Sequence, residues 1–299
     1  MWLWAAVGSA ILLGFYDVFK KDASTHNGVL HILLHATALS TLFLSPFILS
    51  SFLGWGIGDG TVFEMQRGTA QEHGLVFLKS VIVSISWITG LFGLKNLPIT
   101  TASTIKASRP VFVLLGSILI FGERLNLWQW VAIIVAMIAL WLLGRTSKKE
   151  GVDFVRNKWI LCMWVAVLTG VISALMDKHL MSSLKPMFVQ SWCNFYISAI
   201  MLVIVLLGRF TKSRFFVPYH HDWAVWLIAI FITASDFLYF LSLSSSGSML
   251  SVVSMLRRSS VIITFIFGAI IFKEKNLRSK GVALAILLVS MALLVFSSR

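Results

Sequence analysis

Stretches of about twenty predominantly apolar residues recur from Trp2 to Phe296, with only short polar breaks between them. Few folds accept such a pattern. A helix of about 20 residues crosses the roughly 30 Å hydrocarbon core of a bilayer. In lipid the backbone must satisfy its own hydrogen bonds, so outside closed barrels only helices cross. Composition agrees: 58% of the residues are hydrophobic, against roughly 45–50% in soluble domains. Mean hydropathy is +0.89 and 12% of residues are charged. A soluble fold of this length is excluded. The expected class is an all-α, multi-pass integral membrane protein, in the inner membrane if the source is bacterial.

Ten spans are expected, at about 2–19, 29–52, 74–93, 98–121, 127–144, 157–177, 187–208, 222–242, 248–272 and 279–296. The first apolar run has no preceding basic residue and no clear small-residue cleavage site, so it reads as a mature helix, not a signal peptide. The breaks Leu53 to His73 and Arg145 to Lys158 carry Gly and mixed charge and read as surface loops. Among the 12 tryptophans, Trp55, Trp128, Trp159 and Trp223 stand near span ends as interfacial anchors, whereas Trp87 and Trp192 lie deeper and read as packing. The 2 cysteines, Cys162 and Cys193, fall in apolar stretches and read as buried reduced thiols.

The segment Arg109 to Leu140 can be laid on Ser260 to Leu293 with one small adjustment, which pairs Phe121-Gly122-Glu123-Arg124 with Phe272-Lys273-Glu274-Lys275. Earlier in each half, Trp4 and Asp17 match Trp164 and Asp177. The chain thus divides into residues 1–150 and 151–299, five spans each. An odd number of spans per half turns the second upside down, giving two inverted five-helix repeats.

The formal charge is +13, yet Lys and Arg sit in loops or inside spans and form no basic domain, which argues against nucleic acid and for membrane topology plus an anionic ligand. One group of basic residues, including Lys20, Lys21, Lys95 and Lys280, shares a side opposite Arg67, Arg124, Lys178 and Lys185. The positive-inside rule makes the larger group cytoplasmic and both termini non-cytoplasmic.

Four cations lie deep in spans: Lys106 and Arg109 in the fourth, Arg257 and Arg258 in the ninth. Each costs roughly 2.5–3.5 kcal/mol at a span centre. Lys106 and Arg257 fall about 12–14 Å into their spans and occupy equivalent positions in the repeat. Inverted halves would bring both clusters to the midplane. Pro110 leaves the carbonyl of Lys106 without its usual donor, so a kink is expected there. The acidic candidates within spans are Asp17, Asp177 and Asp236, with the first two near span ends, which leaves a cationic surplus. Such a cluster suits phosphate, whose oxygens accept bidentate guanidinium bonds while Lys adds a point charge. A purely structural network, Asp236 with Arg257 or Arg258, is the competing reading. Tyr239, one turn after Asp236, can hydrogen-bond a substrate or simply pack. Lys79, near the start of its span, is expected to snorkel to the interface, with a place facing the cavity as the alternative. His31 and His35 have metal-like spacing but no partner ligand, so no metal or other cofactor is expected. The Ser-rich stretch from Ser242 to Ser260 permits close helix packing. No GxxxxGK[ST] loop occurs, which argues against ATP-driven transport within the chain.

The strings Thr104-Ile105-Lys106-Ala107-Ser108-Arg109-Pro110 and Arg257-Arg258-Ser259-Ser260-Val261-Ile262 resemble the drug/metabolite transporter superfamily, especially its triose-phosphate translocator branch. The wider ten-helix EamA-type pattern covers nearly the whole chain, including Gly122-Glu123 and Glu274. The resemblance implies Lys106, Arg257 and Arg258 as phosphate ligands. Arg109 departs from it, standing where an acidic or neutral residue is expected, which suggests a more highly charged anion. The family keeps both termini cytoplasmic, contrary to the charge count.

The expected function is therefore secondary transport, by exchange, of a small anionic and phosphorylated solute. An EamA-type exporter of amino acids or related metabolites is the alternative. A membrane enzyme acting on lipid-linked phosphate lacks a nucleophile with a paired base, and a scaffold leaves the deep cations unexplained. A homodimer is compatible with the sequence.

Overall fold

The computed structural model describes residues 2–109, 111–113, 126–149, 156–210, 220, 222–245, 250–271 and 277–297. Among them the regular structure is helical, without strands. The order is α1 (Trp2–His26), α2 (Val29–Leu53), α3 (Ala70–Asn96), α4 (Ile99–Ala107), α5 (Leu127–Lys149), α6 (Lys158–Leu180), α7 (Pro186–Phe210), α8 (Trp223–Ser244), α9 (Leu250–Arg258), α10 (Ser260–Ile271) and α11 (Leu277–Ser297). Six of these, α1, α2, α3, α6, α7 and α8, are long and apolar enough to cross a bilayer.

Local chemistry sets several ends. Thr69 and Glu72 form a reciprocal capping box at the start of α3. Asn157 and Asp222 accept backbone N–H groups at 2.9 Å to start α6 and α8. Gly54, at φ +71°, closes α2 in the left-handed conformation that glycine tolerates. Lys21 donates to the carbonyls of Leu94 (2.6 Å) and Leu97 (2.8 Å), covering the electronegative end of α3. The expected loop after Leu53 is present. Pro110, Gly122 to Arg124 and Lys273 to Lys275 lie outside the described residues. The expected interruption is nonetheless visible beside Pro110: α4 stops at Ala107, Ser108 is a turn, and helical geometry resumes over 111–113.

The most extensive helix contacts all join an element from the first half of the chain to one from the second: α1 with α8, α3 with α6, α5 with α11 and α2 with α7, followed by α3 with α7, α1 with α10 and α4 with α10. Small and hydroxylated residues permit these approaches. Ser9 and Ser235 donate to each other's backbone carbonyls at 2.8 Å between α1 and α8. Ser86 donates to the carbonyl of Ala166 at 2.8 Å between α3 and α6, and Ser290 to that of Ala132 at 2.7 Å between α11 and α5. At the Ser-rich end of α8, Ser242 bonds to the carbonyl of Trp2 at 3.0 Å. Because the halves interdigitate in this way, side chains from both converge on one interior space.

Candidate functional site

That space is a cavity of about 160 Å³ bordered by α1, α3, α4, α6, α7, α8 and α9. It exceeds by about tenfold what a single buried water needs. Each long helix offers one face at spacings of three and four residues. Leu13, Tyr16, Asp17 and Lys20 come from α1, Gln190, Cys193, Asn194 and Ile197 from α7, and Ile232, Asp236, Tyr239 and Phe240 from α8.

The six residues singled out from the sequence, Lys106, Arg109, Asp236, Tyr239, Arg257 and Arg258, all line this cavity. Lys106 Nζ lies 2.8 Å from Asp17 Oδ1. Arg257 donates through Nη2 to Asp236 Oδ1, and its guanidinium lies 4.1 Å from the centroid of the Tyr239 ring, a cation–π contact. The Tyr239 hydroxyl donates to Asp177 Oδ2 at 3.3 Å. Asp177 Oδ1 is 2.7 Å from Lys79 Nζ, close enough for an ion pair although the two are not aligned for a hydrogen bond. Lys79, Asp177, Tyr239, Arg257 and Asp236 are therefore one connected chain of contacts spanning α3, α6, α8 and α9.

Two sequence expectations are corrected. Lys79 does not snorkel to an interface: it is 3% exposed, paired with Asp177 and set over the Phe240 ring. Lys20, grouped with residues on one membrane side, is 4% exposed in the cavity, where it donates to the Tyr16 hydroxyl at 2.7 Å and approaches the Trp87 ring. Trp87 therefore lines the cavity, beyond its expected packing role. Asp17 is buried well inside α1, which runs on to His26, and Asp177 is buried although it stands in the last turn of α6. Lys280, also assigned to that side, is fully buried.

Six cations, Lys20, Lys79, Lys106, Arg109, Arg257 and Arg258, thus face three carboxylates, a formal surplus of three positive charges. Among the described residues Lys20, Arg109 and Arg258 have no carboxylate within ion-pair distance. The Nε atoms of Arg109 and Arg258 are buried without a hydrogen-bond partner. Ser173, Asn194 and Ser254 add neutral polar groups to the wall. Burial raises the cost of every uncompensated charge here, so the arrangement is suited to receive an anion. Among the described residues no cluster of three or more His, Cys, Asp or Glu could hold a metal ion. His35 Nδ1 instead bonds to the carbonyl of His31 at 2.7 Å. Cys162 and Cys193 are free, the first partly exposed and the second buried against the cavity.

Residues 1–145 match the EamA-like transporter family. The match takes in α1 to α4 and most of α5, and with them Asp17, Lys20, Lys79, Lys106 and Arg109 of the cavity. With several apolar helices, it makes the chain a multi-pass integral membrane protein, and it supports a membrane transporter of small molecules. A solved structure, titled only as the crystal structure of a protein, is 13% identical and aligns over 97% of this chain and 95% of its own with a TM-score of 0.63. At that identity the likeness speaks for the fold alone. Comparison with curated proteins gives no significant match.

The deep Arg and Lys signal was sufficient to find the four cations of the fourth and ninth spans. Lys20 and Lys79 had a weaker signal, their distance from the true helix ends. Gln190 and Asn194 had none, since an amide in an apolar helix reads equally as a packing contact.

Proposed function

We propose that this chain is a secondary carrier of small organic anions, phosphorylated metabolites in particular, working by alternating access at the Lys/Arg cavity. The observation that carries the reading is the set of three cavity cations, Lys20, Arg109 and Arg258, that have no carboxylate partner among the described residues. In this reading the phosphate sits among Lys106, Arg257 and Arg258, with Asp236 holding Arg257 while the site is empty and Tyr239 completing the wall. An anion brings guanidinium-matched oxygens and removes the uncompensated charge together. The loaded cavity then switches sides more easily than the charged empty one, and the expected transport is exchange.

Alternating access calls for two related halves, and we read the chain as ten spans in two inverted five-helix repeats, 1–150 and 151–299. The contacts support this. Exchanging the halves turns α1 with α8 into α6 with α3 and α3 with α7 into α8 with α2, and leaves α2 with α7 and α5 with α11 as they are.

Counterflow in proteoliposomes tests the carrier. Uptake of labelled organophosphate is expected to depend on unlabelled organophosphate inside. Equal rates with empty vesicles would reject exchange. An exporter of amino acids is the second reading, favoured by Asp17, Asp177 and Asp236 in the cavity wall, which can take an ammonium group. Thermal stabilisation by amino acids but not by organophosphates would select it.

A further inference from the structure

Arg109 is one of the cavity cations that the sequence resemblance does not account for, and its surroundings are specific. Its guanidinium lies flat against the bare backbone of Gly170 on α6: a Cβ at that glycine would stand 2.8 Å from Cζ, 3.0 Å from Nη1 and 3.1 Å from Nε. Any side chain at residue 170 would push the guanidinium away. Its Nε is buried and unpartnered, and no carboxylate lies within ion-pair distance among the described residues. Arg258, carried by α9, lines the same cavity. Two guanidinium forks thus converge on one space from different helices.

A phosphate monoester brings about −1.5 to −2 charges at neutral pH. The cavity's formal surplus is three. A monoester held by Lys106, Arg257 and Arg258 would leave Lys20 on the Tyr16 hydroxyl and, with no such partner at its Nε, Arg109 a buried, uncompensated cation, which is costly. A second anionic group on the same substrate would meet it.

We propose that Arg109, held in place by Gly170, sets the charge preference of the cavity in favour of organic anions bearing two anionic groups, a phosphate with a carboxylate or a second phosphate, over simple phosphate monoesters. The proposal rests on the anion-carrier reading above and narrows its substrate class. Gly170 is a positioning residue in this scheme. Since the atoms that a new methyl group would meet are the tip of a flexible side chain, Gly170→Ala displaces Arg109 and leaves the helix packing intact.

Binding of phosphoglycolate and of glycerol phosphate is compared in the purified, full-length protein in nanodiscs by calorimetry. Wild type is expected to favour phosphoglycolate by about tenfold, the scale of one charge-assisted contact. Both Arg109→Gln and Gly170→Ala are expected to weaken phosphoglycolate more than glycerol phosphate and bring the ratio close to one. Adding Gly170→Ala to Arg109→Gln should change nothing further, because the glycine acts through the guanidinium. A wild-type ratio near one, a ratio that survives either substitution, or additive losses in the double variant would overturn the proposal while the carrier reading stands. Failure of both ligands to bind wild type would overturn both.

Discussion

Ser108 and Ser259 interrupt their helices in the same way. Each hydroxyl turns back onto the carbonyl three residues earlier, Ile105 at 2.7 Å and Leu256 at 2.6 Å. Each amide bonds that same carbonyl, at 3.2 and 3.1 Å, and each carbonyl accepts from the amide three residues on, Val111 at 3.1 Å and Ile262 at 2.9 Å. The two breaks lie two residues after Lys106 and two residues after Arg257.

Hydroxyls that bond backward compete with the helical ladder, so Ser108→Ala and Ser259→Ala are expected to make the breaks shallower, at the first within the limit that Pro110 sets. Each should alter stability by no more than about 1 kcal/mol, one hydrogen bond's worth. Each should slow organophosphate counterflow, because the cations are displaced from the cavity. Melting temperature and counterflow rate, measured side by side, check this. A functional loss in one variant with none in the other would mean that the two breaks are not equivalent.

Lys79 and Asp177 form a buried ion pair between the first half of the chain and the second, with side chains 4% and 7% exposed. Removing one partner leaves a charge buried without compensation, so Lys79→Met or Asp177→Asn is expected to cost about 3–5 kcal/mol. Lys79→Met combined with Asp177→Asn should cost less than either single change, since it leaves no orphan charge. Thermal unfolding of the three variants in detergent tests the coupling; simple additivity would refute it.

Asp17 and Lys106 give a prediction of opposite signs. The pair is 2.8 Å apart, with Lys106 the more accessible partner at 22% side-chain exposure. Asp17→Asn frees the ammonium and should raise affinity for a phosphate monoester severalfold while lowering the melting temperature. Lys106→Gln should lower that affinity. If both changes weaken binding alike, the pair serves the fold and Lys106 is not a ligand.

The helical class and the convergence of Lys106 with Arg257 were legible because a charge in an apolar run is costly and must be received by something polar. Lys20 and Lys79 were misread for a geometric reason. The apolar windows stop at residues 19 and 74, but α1 continues to His26 and α3 begins at Ala70. Lys79 therefore lies about 14 Å into α3 at 1.5 Å per residue. Which carboxylate meets which cation was not legible either. Asp236 could be matched with the ninth span in advance, but Asp177 reaches across to α3 and across to Tyr239 on α8. Pairings between helices depend on rotation about each axis, which hydropathy does not encode. The seat of Arg109 on Gly170 is a distance between two elements, and a lone glycine in an apolar span carries no mark of its partner.

Two glycines separate packing from function under one substitution. At Gly14 a Cβ would stand 2.6 Å from Cβ of Ile263 and 2.9 Å from its Cγ2. A β-branched side chain fixed close to its own backbone cannot swing aside. Gly14→Ala must therefore separate α1 from α10, at a cost of about 1–3 kcal/mol by overpacking. At Gly170 the opposing group is the end of Arg109, which can rotate away into the cavity. The expected result is a double dissociation. Gly14→Ala lowers the melting temperature and leaves the phosphoglycolate preference of the folded fraction as in wild type, whereas Gly170→Ala keeps the melting temperature and loses the preference. If Gly170→Ala unfolds the protein as readily as Gly14→Ala, then Arg109 is locked by its surroundings and its guanidinium is part of the packing.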